Sequence, residues 1–263
     1  MNKIKSLSLF SAIALAALSG CKKDDLTSDF KTSDPIQNGT AKIRFIHVAP
    51  ELGGVSVKYK DNSVFGDSLR YSQNSGYTEV ALGSVDNGFN LDMTPIEDST
   101  GIFTPNETGV IATLAQSNYI LAKDQRYTCF IIDTVKAEPV LNDLSYDGFT
   151  KIITENYPAT GTDSVWVRLF NASYSSAIVD IEFTNNTSGA VTTISNVSFM
   201  QVPVYAGAGS GDYNVAVKKF GITLASANNV NLQSGKAYTF YFRGVIGASG
   251  DTEPRLDYIT NGE

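Results

Sequence analysis

Histidine and cysteine are almost absent from this chain. Its 263 residues include one histidine, His47, and two cysteines, Cys21 and Cys129. Metal centres built from His and Cys, and scaffolds held by several disulfides, need more of these side chains than the chain has. A Ser-His-Asp mechanism would have to use His47, and the sequence contains no Gly-x-Ser-x-Gly nucleophile motif. The composition therefore predicts no cofactor and no metal site, and it does not favour an enzyme.

Positive charge is also scarce. The 20 Lys and Arg residues are outnumbered by 27 Asp and Glu, which gives a formal net charge of −7 at pH 7. Proteins that bind nucleic acid draw affinity from basic side chains that neutralise phosphates, so that class of partner is excluded. Hydrophobic residues make up 42% of the chain, which is enough to build packed cores over two domains.

The N-terminus has the anatomy of a signal peptide over residues 1–20. Lys3 and Lys5 precede the uncharged run Ser6–Ser19, which is shorter than the roughly 20 residues of a membrane-spanning helix. The stretch Leu18-Ser19-Gly20-Cys21 resembles the bacterial lipobox. That resemblance implies that Cys21 carries a diacylglyceryl group and becomes the first residue, with acyl chains as the attachment to the outer membrane. The alternative is an incidental thiol after an ordinary cleavage site.

A charged tetrapeptide follows the cysteine. Lys22-Lys23-Asp24-Asp25 resembles the basic-then-acidic export signal of Bacteroidota lipoproteins, which implies exposure on the cell surface. The alternative is a solvated charge cluster within a tether. Residues 21–40 are mostly polar and include Pro35 and Gly39, a composition typical of a flexible tether.

The remainder of the chain contains an internal duplication. Matching blocks occur in the same order in both halves: Lys42–Val48 with Trp166–Ala172, Val55–Tyr59 with Val179–Phe183, Phe89–Met93 with Tyr213–Val217, Arg126–Phe130 with Ala237–Tyr241, and Glu138–Leu141 with Glu253–Leu256. Such ordered self-similarity indicates two copies of one structural unit. We therefore expect a first repeat at 41–144, a linker at 145–164 and a second repeat at 165–263.

Within these blocks apolar and polar residues alternate. Val55 and Val57 flank Ser56, and Val179 and Ile181 flank Asp180. A period of two predicts strands with one buried face. Turn signals such as Asn185-Asn186 and Ser234-Gly235 recur between the blocks, and no long helical pattern follows the leader. The predicted fold is all-β, with two tandem immunoglobulin-like antiparallel β-sandwich domains after the cleaved leader and the tether.

The two copies resemble the domain of unknown function 4397 family over most of residues 41–263. The first copy has the family's arginine-containing opening strand, Lys42–Val48, which runs into Ala49-Pro50. The second copy has its closing strand, Gly235-Lys236-Ala237-Tyr238-Thr239. The resemblance implies secreted or cell-surface β domains and carries no known activity.

Individual residues support a structural interpretation. His47 matches Asn171 in the second copy, which predicts a backbone-bonding role in a turn. Cys129 matches Phe240 and is expected in the core of the first repeat as a small hydrophobe. The glycine-rich stretch 207–211 precedes a predicted strand, and is interpreted as a hairpin loop instead of a phosphate-binding loop.

Four tripeptides resemble the O-glycosylation acceptor of exported Bacteroidota proteins. Their acceptor residues are Ser68, Ser99, Thr134 and Ser164. Ser99 and Ser164 fall in a predicted loop and in the predicted linker, so they are expected to be the more accessible.

These observations favour a non-catalytic cell-surface lipoprotein. Its β-sandwich body would act as a binding or adhesion module for an unknown glycan or protein, since some of its 13 Tyr and 14 Phe residues could stack on sugars. Two alternatives stay open. One is a structural subunit of a fimbria-like surface assembly, and the other is an enzyme that uses paired carboxylates.

Overall fold

The computed structural model describes residues 39–50, 54–59, 62–63, 68–82, 89–96, 116–119, 121–132, 150–158 and 164–262. Together these residues form sixteen strands and one short 3₁₀ helix, Gly250–Thr252. The first repeat contains β1 Thr40–His47, β2 Gly54–Tyr59, β3 Asn62–Ser63, β4 Asn74–Ala81, β5 Phe89–Ile96, β6 Gln116–Tyr119, β7 Arg126–Ile131 and β8 Thr150–Thr154. The second contains β9 Ser164–Asn171, β10 Ile178–Asn185, β11 Val191–Ser198, β12 Ala206–Gly209, β13 Gly211–Lys219, β14 Ile222–Leu232, β15 Ala237–Arg243 and β16 Arg255–Thr260. The all-β prediction is confirmed.

The two repeats share one topology. In the first, one sheet has the strand order β4-β1-β7-β8 and the other has β3-β2-β5-β6. The second repeat has β12-β9-β15-β16 and β11-β10-β13-β14, so each strand corresponds to the one eight places earlier. Two tandem sandwiches with the same strand order are what a duplicated sequence should produce.

One ladder in each repeat departs from the predicted antiparallel pairing. β1 pairs with β7 in parallel, and β9 pairs with β15 in parallel, while the other ladders are antiparallel. Turn signals fix the direction of strands that follow one another along the chain. They say nothing about strands that are far apart in the sequence, and each parallel pair joins the first strand of a repeat to its seventh.

Each sandwich encloses its own core. In the first, Phe45 of β1, Val57 of β2 and Cys129 of β7 pack together with no solvent exposure. In the second, Leu169, Phe183 and Phe240 occupy the corresponding core. Successive residues of these strands therefore point alternately into the core and to the other face of the sheet, as the sequence pattern predicted. The predicted burial of Cys129 is also confirmed.

Both repeats contain a tyrosine that fastens a connection to the sandwich. The amide of Ala122 donates to the Tyr127 hydroxyl at 2.8 Å, and the amide of Gln233 donates to the Tyr238 hydroxyl at 3.0 Å. A tyrosine bound to the backbone a few residues upstream is a feature of immunoglobulin-like sandwiches. It gives a physical reason for the tyrosine of the closing-strand motif.

Two stretches that were expected to be loops contain strands. β8, Thr150–Thr154, lies inside the predicted linker 145–164 but pairs with β7 of the first repeat. Ala206–Gly209 includes most of the glycine-rich stretch and forms an edge strand that pairs with β9, whereas the following strand β13 belongs to the other sheet. The interpretation of this stretch as a hairpin loop is therefore wrong.

The repeats contact each other through one sheet from each. We call β4-β1-β7-β8 and β12-β9-β15-β16 the inner sheets. Phe130 of β7 packs on Phe170 and Tyr241 of the second repeat, with ring centroids 4.3 and 5.5 Å apart. Ten buried apolar residues from both repeats form this junction cluster: Ile46, Val48, Phe130, Ile132, Ile153, Phe170, Ala172, Met200, Tyr241 and Ile259. The second faces of the inner sheets are thus buried as well. In the described part of the chain, no helix is long and apolar enough to span a bilayer.

Candidate functional site at the junction of the repeats

The arginine of each opening strand lies at the junction. Arg44 and Arg168 occupy equivalent places in β1 and β9, directly beside Thr128 and Thr239 on the parallel partner strands. In the first repeat Nε donates to the threonine hydroxyl at 3.0 Å, and in the second at 2.9 Å. A parallel register places these neighbours on one face of the sheet, so each repeat builds the same arginine–threonine pair.

Each arginine also lies over an aromatic ring. The Arg44 guanidinium carbon is 4.6 Å from the centroid of the Tyr77 ring, and that of Arg168 is 4.4 Å from the centroid of Tyr205. Cation–π contacts of this kind stabilise a guanidinium that has been removed from water. Both arginines are buried, with 3% and 5% of their surfaces exposed.

The third partner differs between the repeats. After β8 comes Glu155, and after β16 comes Asn261. Glu155 Oε1 accepts from Arg44 Nη2 at 2.8 Å, and its side chain is fully buried. Asn261 instead contacts Thr239, with Nδ2 donating to the hydroxyl at 3.0 Å. Two buried guanidinium groups, Arg44 and Arg168, therefore lie near the carboxylate of Glu155. A third buried arginine of the second repeat, Arg243, pairs with Asp257 and lies over the Tyr71 ring of the first repeat.

Hydrogen bonds from this network cross between the repeats. Arg44 Nη1 donates to the backbone carbonyl of Thr260 at 3.1 Å, and Nη2 reaches Asn261 Oδ1 at 3.3 Å. In the other direction, the amide of Gly262 donates to Glu155 Oε2 at 3.2 Å. Because these groups are buried or nearly so, water does not compete for their hydrogen bonds, and the network joins the two sandwiches.

Burial also changes the acidity of the surrounding groups. Desolvation lowers the pKa of Arg168, and no carboxylate of the described residues pairs with it. Desolvation raises the pKa of Tyr77, and the hydrogen bond to Glu155 raises it further. The pKa of Tyr205 is raised by burial as well. The tyrosines thus stay neutral hydrogen-bonding groups throughout the physiological range.

An open groove adjoins the network at the end of the first inner sheet where β1 and β7 begin. It has a volume of about 380 Å³, within the range of small-molecule sites. Strands β1 and β7 both begin at this end because they are parallel, and antiparallel β8 ends there. The groove is lined by Thr40, Lys42, Asp124, Gln125, Arg126, Glu155, Asn156 and Tyr157. We call it the junction groove.

The junction groove presents hydrogen-bonding groups of every kind. Asp124 supplies acceptors, Arg126 and Lys42 supply donors, and Gln125 and Asn156 supply both. Tyr157 adds a partly exposed ring, 37% accessible, which lies edge-on to Tyr205 at 6.4 Å between centroids. Such a surface can bind a ligand that combines hydroxyl groups with an apolar face.

The second repeat has a different residue at the position of Lys42. The matching residue is Trp166, whose ring packs beside Gly207 of β12. Its indole Nε1 is a buried donor without a partner in the described residues. The two repeats therefore carry a flexible lysine and a bulky indole at equivalent places.

Gly262 lies close to two residues of the junction groove. Its φ of 86° lies in the region that favours glycine. A Cβ added there would lie 2.7 Å from the Tyr157 hydroxyl and 2.9 Å from Arg126 Nη1. A residue with a side chain at position 262 would therefore collide with Tyr157 and Arg126.

Several predicted positions can be located. His47 Nδ1 accepts from the amide of Ala49 at 3.3 Å, and Asn171 Oδ1 accepts from the amide of Ser173 at 3.2 Å, which confirms the shared turn role. Ser68 is half-buried before the bridge residue Leu69, and Ser164 is the half-buried first residue of β9 instead of a linker residue. Lipidation and export positions Cys21, Lys22, Lys23, Asp24 and Asp25, and acceptors Ser99 and Thr134, lie outside the described residues.

Sequence reasoning did not find the junction. Glu155 and Tyr157 fall in the stretch assigned to the linker, so no role was expected for them. A signal was present in the charged residue at the centre of each opening strand, since Arg44 and Arg168 interrupt otherwise apolar runs. A charge in a buried strand needs a partner, which points to a polar interface.

The most exposed aromatic residue of the described chain lies elsewhere. Phe220 is 92% exposed at the turn between β13 and β14. These strands belong to the sheet β11-β10-β13-β14, which we call the outer sheet of the second repeat. No group of three or more His, Cys, Asp or Glu side chains in the described ranges is placed to hold a metal ion.

No family model and no curated protein matches the chain. Among solved structures it is similar to a carbohydrate-binding module of family 26 from Eubacterium rectale in complex with maltoheptaose, with 10% identity, a TM-score of 0.22, and coverage of 85% of this chain and 97% of that one. A leucine-rich repeat protein from Bacteroides thetaiotaomicron shows 9% identity and a TM-score of 0.21, and the match covers 80% of this chain and 26% of that one. An adhesin from Mobiluncus mulieris shows 9% identity and a TM-score of 0.18, and the match covers 79% of this chain and 82% of that one. These TM-scores are too low to support an argument about function.

Proposed function

We propose that this protein is a non-catalytic surface lipoprotein, anchored in the outer membrane through acyl chains on Cys21, whose β-sandwich body binds carbohydrate in the junction groove. The lining of that groove is the observation that carries the proposal. Sugars present many hydroxyl groups, each a donor and an acceptor, together with an apolar face of C–H groups. Amide, carboxylate and guanidinium side chains match the hydroxyls, and an aromatic ring matches the face.

The groove is also preorganised, which lowers the entropic cost of binding. Asp124 and Gln125 lie in a turn held at both ends, because the Asp124 amide donates to the Thr40 carbonyl at 2.9 Å and the Lys42 amide donates to the Gln125 carbonyl at 3.0 Å. Across the groove, the Glu155 amide donates to the Arg126 carbonyl at 2.9 Å. Backbone hydrogen bonds thus fix the segments that carry the binding side chains.

The sequence supports the cellular part of the proposal. The lipobox-like stretch that ends at Cys21 and the signal-like Lys22–Asp25 stretch support a location at the outer face of the outer membrane. Two or three acyl chains would make the anchor stable, since each buried CH₂ contributes about 0.8 kcal/mol.

A glycan array probed with the purified full chain tests the binding proposal. Wild type should bind a subset of glycans, and Tyr157→Ala should weaken that binding at least about tenfold because the ring platform is lost. Phe220→Ala is the matched control, since it removes another exposed aromatic ring from a different sheet. Equal loss in both variants, or no glycan binding at all, would refute the assignment of the groove.

The fimbria-like alternative finds less support in the described strands. A subunit that polymerises by strand addition needs a regular open sheet edge. Both edge strands of the outer sheet in the second repeat are interrupted by register shifts, in β11 and twice in β14, with Asn196 and Asn229 at positive φ. Bulges of this kind obstruct edge-to-edge pairing. The full chain should therefore stay monomeric, and ladders in size-exclusion chromatography would instead favour assembly.

Glu155, a carboxylate of the groove lining, is poorly suited to the chemistry of a carboxylate-dependent enzyme. Glu155 is fully buried and accepts hydrogen bonds from Arg44, Thr128, Tyr77 and Gly262. Its four lone-pair sites are thus engaged within the protein, and it has none left for proton transfer to a substrate. Bound glycans should accordingly be recovered intact after incubation with the protein.

A further inference from the structure

The free charges of the junction groove are predominantly positive, although the protein as a whole is acidic. Within the described residues, no carboxylate oxygen lies within 4.0 Å of a side-chain nitrogen of Lys42 or Arg126. Lys42 is exposed and Arg126 half-buried. Both side chains are thus available to an anionic ligand.

The acidic residues of the groove do not cancel these charges. Glu155 is neutralised by Arg44, whose Nη2 lies 2.8 Å from Oε1, and its side chain has no exposed surface. Asp124 is the remaining carboxylate, and it lies at an exposed turn with φ of 60°. Among the lining residues, two cations therefore face one exposed anion. Glu79, the residue of β4 directly opposite Lys42, is also exposed but is not part of the lining.

From this arrangement we propose that the junction groove selects carbohydrates that carry a carboxylate, such as uronic and sialic acids. The inference rests on the proposed carbohydrate function of the same groove. The ligand carboxylate accepts from the Arg126 fork and from Lys42, while Tyr157 packs on the sugar face. Asp124, Gln125 and Asn156 bind the hydroxyl groups.

The partly buried position of Arg126 strengthens its interaction with a ligand carboxylate. Arg126 is partly withdrawn from solvent, and its guanidinium carbon lies 5.9 Å from the centroid of the Tyr77 ring. Charge pairs between low-dielectric walls interact more strongly than pairs in open water. A planar guanidinium also matches a carboxylate with two parallel hydrogen bonds, which an ester or a hydroxymethyl group cannot accept in the same way.

The experiment compares sugars that differ only in charge. Oligogalacturonate, oligomannuronate and sialyllactose are titrated against the full chain by calorimetry, each beside its methyl ester. Where the groove accepts the sugar, the acid should bind at least about tenfold more tightly than the ester. Added salt should weaken binding of the acid more than that of the ester.

Variants then locate the effect. Arg126→Gln and Lys42→Gln remove a groove charge while keeping hydrogen-bonding capacity, and each should reduce the preference for the acid to less than about threefold. Lys219→Gln is the control, because Lys219 is a lysine of the outer sheet in the second repeat. Affinity for the esters should change little in all three variants.

The outcomes separate this inference from the proposed function. If acids and esters bind equally and Tyr157→Ala weakens both, carbohydrate binding stands and charge selection is overturned. If no acid or ester binds and a wider array of neutral sugars is also negative, both fail. An acid preference that survives the Arg126→Gln, Lys42→Gln double variant overturns the assignment to these residues. Loss of the preference in that double variant, with Lys219→Gln unchanged, supports it.

Discussion

Replacing Glu155 with leucine should destabilise the protein severely. Glu155 is the carboxylate that accompanies Arg44 and Arg168, and its oxygens bind Arg44, Thr128, Tyr77 and Gly262. Glu155→Leu removes the charge and every acceptor, and it leaves the Arg44 guanidinium buried without an anionic partner. Glu155→Gln keeps one acceptor oxygen and should have a smaller effect in the same direction.

The expected magnitude follows from the burial of the pair. Breaking a buried ion pair by removing one partner typically costs about 3–5 kcal/mol. The matched control is Glu253→Gln, because Glu253 pairs with Arg255 at the same 2.8 Å while both side chains are nearly half exposed. Exposed pairs contribute at most about 1 kcal/mol. The two variants therefore break ion pairs of the same length, one of which is buried and the other exposed.

Urea unfolding monitored by far-ultraviolet circular dichroism and by Trp166 fluorescence measures both effects. Trp166 is the only tryptophan, so its emission reports on β9 of the second repeat. With a slope of about 3 kcal/mol per molar, Glu155→Leu should lower the midpoint by roughly 1–2 M. If the junction couples the repeats, both probes should coincide in wild type and separate in this variant. A midpoint shift no larger than that of Glu253→Gln would refute the buried network.

Four further predictions concern other parts of the chain. Phe130→Ala should cost about 3–5 kcal/mol in urea unfolding, because it opens a cavity in the junction cluster; a loss below 1 kcal/mol would contradict that packing. Phe220→Asn should stabilise the protein by up to about 1 kcal/mol, since Phe220 has φ of 51° before Gly221 in a two-residue turn that favours Asn-Gly; a lower melting temperature would argue against it. Burial raises the pKa of Tyr205 and of three other tyrosines above the unfolded value of 10.0, so the unfolded state loses these protons first and stability should fall as the pH rises above about 10. Tyr205→Phe should make that fall less steep in urea titrations between pH 9 and 11.5, and an unchanged slope would exclude its contribution. Cys21→Ala should remove the protein from the membrane fraction, whereas an unchanged fraction would contradict acylation.

The duplicated fold could be predicted because its signals are local or periodic. The alternation at Val179, Ile181 and Phe183 fixes a buried face without reference to any other strand. The matched blocks then require the second repeat to copy the first. Parallel pairing of β1 with β7 could not be predicted in this way, since the contact joins residues such as Arg44 and Thr128 that are 84 positions apart.

The candidate site was inaccessible for a related reason. Glu155 gains its role only when β8 delivers it beside Arg44, and a carboxylate in a polar stretch looks like any solvated charge. Tyr157 belongs to the same stretch, where it was counted as linker. The arginines were visible in the family-like motif, but their partners come from other strands and from the other repeat. Local sequence patterns thus predict the buried face of each strand and the turns, whereas the candidate site depends on which strands and repeats come into contact.

The two copies carry different side chains at two equivalent places of one topology. Lys42 occupies the place of Trp166, and Glu155 occupies the place of Asn261. The carboxylate compensates charge at the junction, and the flexible lysine lines the groove at a place where the second repeat has a bulky indole. The Lys42→Trp variant should therefore occlude the groove. The strand pairing of β1 should persist, because position 42 faces away from the core. Such a variant should keep its circular dichroism spectrum and lose glycan binding; retained binding would place the ligand outside the junction groove.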